Sequence, residues 1–327
     1  MIITRTPLRV SFCGGGTDID SFALFEPSGG RVVSTAIDKY VYVTLNPRFD
    51  NSIRVSYSSM EIIDNFEDIQ HALVRETMRL TGITSGVEIT TIADIPGRGT
   101  GLGSSSSVTV GLLNAMHAFA GRNPTKDQLA EEACKIEIDV LGAPIGRQDQ
   151  YAAAYGGLNS IRFGSEGVSV EPILLSDETK AEISREFTLV YTGMTRSASD
   201  VLSPKQGDTE ERNSRLRSIR EQADYAVSML ESGDLSSVGS LLNEAWMAKR
   251  GTSAKVSNKE IDSLYDQVMG LGANGAKLLG AGAGGFLLVH GDSDLREALL
   301  EQLSPANRIM PLGFDVLGST IIHGASE

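Results

Sequence analysis

Residues 97–107 read Gly-Arg-Gly-Thr-Gly-Leu-Gly-Ser-Ser-Ser-Ser, and no other stretch of the 327-residue chain constrains its folding as much. A Gly/Ser run alone is the composition of a flexible linker. Here, however, a strand-like segment (86–92) enters the run and an apolar segment (108–120) leaves it. The second segment is apolar nearly all round, which predicts a buried helix with Gly121 as its C′ residue. Glycines at such a strand–helix junction let the backbone curl and turn successive N–H groups into one concavity. The helix adds its positive end and the serines add hydroxyl donors, so the junction reads as a phosphate cradle. The chain has no Gly-Lys dipeptide, which excludes the standard P-loop, and neither His-Arg-Asp nor Asp-Phe-Gly of protein kinases occurs.

Glycine makes up 35 of 327 residues, about 11% against a usual ~7%. The excess sits in this run and at 14–16 and 280–285. The last cluster, Gly280-Ala281-Gly282-Ala283-Gly284-Gly285, matches G-x-G-x-x-G formally. The dinucleotide fingerprint needs a helix after it, and the strand-like Phe-Leu-Leu-Val-His (286–290) follows instead. The loop reads as one that lets backbone approach a ligand or another domain closely.

The charge balance is 29 − 42 = −13. Such an acidic chain repels a phosphate backbone, so nucleic acid is excluded as the expected partner. An anionic small molecule remains compatible where cations are gathered locally. Two cysteines, Cys13 and Cys134, support neither a disulfide framework nor a zinc site, and four histidines show no metal-ligand spacing. Arg5 and Arg9 interrupt the amino-terminal segment, and no apolar run approaches about 18 residues. A cytoplasmic protein with no membrane partner is expected.

Strands are expected at 1–13, 31–37, 40–45 and around 52–57, a helix near 67–81, and a hairpin from 157–163 and 167–174. Beyond about 180 come a strand near 187–191, helices near 210–231, 234–250, 258–270 and 293–303, and final strands near 313–323. The elements mix without a regular βαβ rhythm, so the fold class is α+β, divided as 1–180 and 181–327.

Thr125-Lys126-Asp127-Gln128 is a capping-box pattern opening a helix to about 140. At roughly 100° per residue, Leu129, Ala130, Ala133, Cys134, Ile136 and Val140 share one arc, and Glu137 falls in its middle. A carboxylate on a buried face needs a partner, either a metal ion or an internal salt bridge. Asp149, in Gly146-Arg147-Gln148-Asp149-Gln150, reads by itself as a loop residue. Lys249 falls on the apolar arc of its helix, either snorkelling out of the helix end or projecting into a cleft. Arg196 stands among small hydroxyl residues after a strand.

Three motifs in order resemble the GHMP kinases, a superfamily of small-molecule kinases. They are Arg5-Thr6-Pro7-Leu8-Arg9 running into Gly14-Gly15-Gly16-Thr17-Asp18; Gly101-Leu102-Gly103-Ser104-Ser105-Ser106 after Pro96; and Lys277-Leu278-Leu279 running through the 280–285 cluster to Phe286. The resemblance spans residues 5 to 286. It implies an amino-terminal domain like ribosomal S5 domain 2 and a ferredoxin-like carboxy-terminal domain. It also implies ATP phosphates wrapped by Pro96, Gly97, Arg98, Gly99, Thr100, Gly101, Leu102, Gly103 and Ser104–Ser106. Mg²⁺ would lie between Ser105 and Glu137, Asp149 would be the catalytic carboxylate, and Arg9 the basic residue beside it. Gly14–Asp18, Gly282 and Gly284 would face the substrate.

Galactokinase-like members carry Gly-Glu-His-Thr-Asp where this chain has Gly-Gly-Gly-Thr-Asp. That version, with 146–157 and 191–202, looks like the D-glycero-D-manno-heptose 7-phosphate kinases, which phosphorylate an anomeric hydroxyl on the route to nucleotide-activated heptose for surface polysaccharides. Fucose kinases share the first motif in part, and a non-catalytic sensor of the same fold is the rival from another class. The implied partner is a sugar phosphate, whose charge Arg196 and Lys249 would offset; a homodimer stays open.

Overall fold

The computed structural model describes residues 1–95, 99–195, 209–251 and 255–324. Its strands form two sheets. The first joins β1 (Ile2–Cys13), β2 (Gly30–Pro47), β3 (Ile53–Ser56), β4 (Met60–Ile63), β5 (Val87–Ala93), β6 (Leu158–Gly164), β7 (Gly167–Pro172) and β12 (Thr320–His323). The second has the order β11 (Ile309–Pro311), β8 (Phe187–Tyr191), β10 (Phe286–His290), β9 (Gly275–Leu278). All pairs are antiparallel except β3 with β5.

Residues 31–37 and 40–45, expected as two strands, are one 18-residue strand. Its register on β1 shifts between Pro7 and Arg9. Such an irregularity bends a strand and raises its twist. The first half of β2 pairs with β6 and the second half with β5. The disturbance therefore stands beside Arg9.

Helix α1 (Asp20–Ala23) follows β1, and α2 (Ala72–Thr81) precedes β5. Helix α3 (Ser104–Phe119) is buried along most of its length under β1 and β2. Its Gly111 is the reason it packs so close: a Cβ there would stand 2.9 Å from the Thr6 hydroxyl. Helix α4 (Lys126–Cys134) opens at Thr125, whose side chain accepts from the Gln128 amide, as the capping box predicts. It continues as a π-helical turn over Lys135–Val140. The wider i→i+5 turn resets the helical phase, so Glu137 stays buried while Val140, placed on the same arc by uniform periodicity, is 52% exposed.

Asp149 does not lie in a loop. It occupies the first turn of α5 (Gln148–Tyr155), a helix that periodicity could not reveal because nearly every residue of it is buried. Helix α6 (Asp177–Glu186) leads to the second sheet; α7 (Thr209–Ser232) packs against β1 and β2 of the first sheet, whereas α8 (Leu235–Arg250), α9 (Lys259–Gly270) and α10 (Leu295–Gln302) pack against the second. One apolar core runs through both sheets, with Phe12 edge-on to Phe187 at 5.6 Å. The chain then returns to the first sheet, where β12 pairs with β1. Both cysteines are buried and free. Among the described residues no helix is long and apolar enough to cross a membrane.

Candidate active site

The second and third glycine clusters meet backbone to backbone. A Cβ on Gly280 would lie 2.5 Å from the Gly101 Cα, and one on Gly285 would lie 2.2 Å from the Thr100 carbonyl oxygen. No residue with a side chain fits at either contact. A cavity of about 540 Å³ opens beside this contact. Gly99, Thr100, Gly101, Gly103 and Ser104–Ser106 line one wall, and Gly280, Ala281, Gly282 and Gly284 another. Leu102 is buried beneath, its carbonyl accepting from the Arg9 amide at 3.0 Å. Gly103 caps α3 in a left-handed conformation without a side-chain hydrogen bond. The helix therefore presents its positive end at the cavity, as a phosphate site requires.

Glu137 lies on the floor of this cavity, 1% exposed. Of the two partners the sequence left open, the salt bridge is not formed with any described residue. Its Oε1 accepts from Ser105 at 2.7 Å and from Thr109 at 3.1 Å; its Oε2 accepts from Ser106 at 2.7 Å and from the Gln150 amide. Burial raises its carboxyl pKa, against which Ser106, Ser105 and Gln150 act. Among the described residues no group of three or more His, Cys, Asp or Glu side chains could hold a metal. Two adjoining hard oxygen donors, Ser105 and Glu137, fit a Mg²⁺ ion, which is held by one or two protein ligands together with nucleotide phosphates.

A second, smaller cavity of about 110 Å³ adjoins the first. Gly15, Gly16, Asp18, Lys249 and Lys277 line it, and Arg9 and Asp149 line both cavities. Arg9 Nε and Nη2 donate to the two Asp149 oxygens at 2.7 and 2.9 Å, and Nη1 donates to the Gly101 carbonyl at 2.6 Å. The Asp18 carboxylate accepts from the Gly16 amide at 2.9 Å and the Gln148 amide at 3.1 Å; burial first, then Asp149, raises its pKa.

Gly14 and Thr17 line neither cavity; the Thr17 hydroxyl instead donates to the Gly14 and Arg31 carbonyls and locks the turn. Gly282 and Gly284 stand on the larger cavity, away from the smaller one. Pro96, Gly97, Arg98 and Arg196 lie outside the described residues. Lys249 neither snorkels nor stays in solvent. It is half-buried, lines the smaller cavity and donates to the Gly280 carbonyl. Burial, then Lys277 and Arg9, pushes its pKa down to about 7.

Sequence reasoning assigns no role to Lys277, whose Nζ donates to the Ser11 and Phe12 carbonyls at 3.0 and 2.7 Å. A lysine within the otherwise apolar run Gly-Ala-Lys-Leu-Leu is the available clue. Gln148, Gln150 and Thr109 escape it too, because polar residues inside helices carry no pattern of their own.

The geometry is that of two adjoining chambers, one walled by the glycine loops and the start of α3, with an acid–arginine pair lining both. Similarity to known proteins agrees with it. The sequence signature described as "GHMP kinases N terminal domain" matches residues 68–157, and "GHMP kinases C terminal" matches 226–307. The D-glycero-alpha-D-manno-heptose 7-phosphate kinase of Campylobacter jejuni is 30% identical, over 92% of this chain and 93% of its own. The chain belongs to the GHMP kinases.

As a GHMP kinase it is a phosphotransferase, and members of this family use ATP as phosphoryl donor. The family relation extends to a Bacteroides fragilis L-fucokinase/L-fucose-1-P guanylyltransferase, 26% identical over 86% of this chain but only 34% of its own length. A solved structure of a sugar kinase from Campylobacter jejuni superposes with a TM-score of 0.76 at 27% identity, over 98% of both chains. The crystal structure of a heptose 1-phosphate kinase from Bacteroides thetaiotaomicron gives 0.81 at 22% identity over 100% of both, a likeness of fold.

Proposed function

We propose that this GHMP sugar kinase transfers the γ-phosphoryl group of ATP to the anomeric hydroxyl of a sugar phosphate, D-glycero-D-manno-heptose 7-phosphate, to give the 1,7-bisphosphate. The observation that carries the reading is the shared wall. Arg9 and Asp149 alone among the described charged residues line both chambers, which supports donor and acceptor meeting at them. The heptose assignment draws support from the Campylobacter jejuni kinase named for that substrate.

In this reading the larger cavity takes the nucleotide, with its phosphates against the glycine loop and the amino terminus of α3. Ser105 and Glu137 are the residues that would hold Mg²⁺, which supplies charge neutralisation on the phosphates. Asp149 orients the acceptor hydroxyl and takes its proton. Arg9 fixes the plane of that carboxylate and offsets charge on the transferring group. Lys249, together with Arg196, offsets the phosphate that the substrate already carries.

A coupled ADP-release assay with heptose 7-phosphate, unphosphorylated heptose, fucose and galactose tests the proposal. Turnover is expected on heptose 7-phosphate first. Faster turnover of fucose would move the assignment to a fucose-type 1-kinase, and ATP and sugar binding without ADP release would make the protein a sensor.

A further inference from the structure

Gln148 is the one residue of the smaller cavity whose side chain has a buried polar atom with no partner among the described residues. It is 9% exposed, and its Oε1 makes no hydrogen bond. An orphaned buried acceptor costs about 1–3 kcal/mol, so such an atom in a cavity wall points to a ligand that completes it. The amide cannot be turned round to remove the orphan. Its Nε2 donates to Asp18 Oδ1 at 3.2 Å, and the same oxygen accepts from the Gly16 amide, so an acceptor faces it on that side. Turned about, Oε1 would face the carboxylate.

The surroundings are built to hold this side chain in place. Its backbone N–H donates to Asp18 Oδ2 at 3.1 Å. A Cβ on Gly15 would stand 3.5 Å from Gln148 Nε2, in ordinary contact, so the glycine turn packs against the amide. Gln148 precedes Asp149 in the first turn of α5, and the catalytic carboxylate and the orphan acceptor therefore sit on one rigid element. The cations of the cavity, Lys249, Lys277 and Arg9, can only donate, whereas Gln148 adds a neutral side-chain acceptor that lacks a donor.

We propose that Gln148 is a specificity-determining residue: its Oε1 accepts a hydrogen bond from a sugar hydroxyl other than the one phosphorylated. The inference rests on the smaller cavity being the acceptor chamber. A site that hydrogen-bonds a substrate hydroxyl rejects the analogue lacking it strongly, because the buried polar atom is then stranded.

The test crosses wild type and Gln148→Met with a series of monodeoxy analogues of the acceptor. Wild type is assayed first on heptose 7-phosphate, fucose and galactose, and the series is made on whichever sugar turns over best. Turnover of fucose or galactose alone refutes the heptose reading and leaves Gln148 to be judged on that sugar; turnover of none refutes both. One deoxy analogue should lose at least about tenfold in kcat/KM with wild type. Gln148→Met should lose about as much on the parent sugar, and nothing further on that analogue. A side chain that merely supports Asp18 would lower every analogue by the same factor, and that result overturns the proposal. So does a wild-type series in which no analogue loses more than about threefold, a measurement independent of whether the variant folds. The KM for ATP should stay unchanged throughout.

Discussion

Arg9 grips both oxygens of Asp149 across 140 residues of sequence, and its remaining nitrogen ties the pair to the Gly101 carbonyl of the phosphate loop. Arg9 is 5% exposed and Asp149 21%, so the carboxylate is held from behind while one side stays reachable. A positioned acid–base group contributes about 10²–10⁴ in rate. Asp149→Asn is expected to lower kcat by that range and leave the KM for ATP within about twofold. Near wild-type turnover of the pure variant would remove Asp149 from the catalytic role. Arg9→Lys should also slow turnover, since an ammonium cannot reproduce the two-pronged grip.

Glu137→Gln tests the metal assignment. The apparent Mg²⁺ requirement should rise and kcat fall, while the thermal midpoint moves by only a few degrees. A variant that loses stability yet titrates with Mg²⁺ like wild type would show that Glu137 is structural.

Lys249 and Lys277 are expected to make acceptor binding pH-dependent. Burial pushes their pKa values down to about 7 and about 8, with Lys277 and Arg9 lowering Lys249 further, against Asp18 and Asp149. Each is charged below its value and neutral above it. The KM for a sugar phosphate should therefore rise as pH increases through 7 to 8, with a smaller rise for the unphosphorylated sugar. Lys249→Ala and Arg196→Ala should each raise the KM for the sugar phosphate and leave that for ATP nearly unchanged. Equal losses on phosphorylated and free sugar would contradict the phosphate assignment.

The same shifts bear on stability, with the sign set by proton uptake. Between the folded values and about 10.4, the ordinary lysine pKa, the unfolded chain binds more protons than the folded one. Stability should rise with pH across that window. Urea denaturation at several pH values should show a shallower rise for Lys249→Met than for wild type; equal slopes would mean that Lys249 keeps its proton in the folded state.

Gly280→Ala would place a Cβ 2.5 Å from the Gly101 Cα at a residue with φ +67°. The left-handed conformation alone costs a non-glycine residue about 1–3 kcal/mol. A lowered melting midpoint and a raised KM for ATP are expected together, since the loops that part are those lining the nucleotide cavity. A full-strength KM with a lowered midpoint would separate loop contact from nucleotide binding.

Much of this site is legible in the amino-acid sequence. Glycine at 101, 280 and 285 is demanded by the backbone itself, and a serine run opening a buried helix is a local property of the chain. Glu137 can be placed on the buried face because helical phase is local too. Val140 shows the limit, since one π turn shifts that phase without a mark in the sequence. Asp149 reads as a loop residue because a helix buried at nearly every position has no polar face to give it a period. Tertiary structure alone decided that Arg9, Gly101 and Asp149 meet, that Lys277 of one sheet reaches the carbonyls of Ser11 and Phe12 in the other, and that Gln148 is left with an unpaired oxygen. Conformational demand is written residue by residue, whereas partnership between distant side chains exists only after the chain has packed.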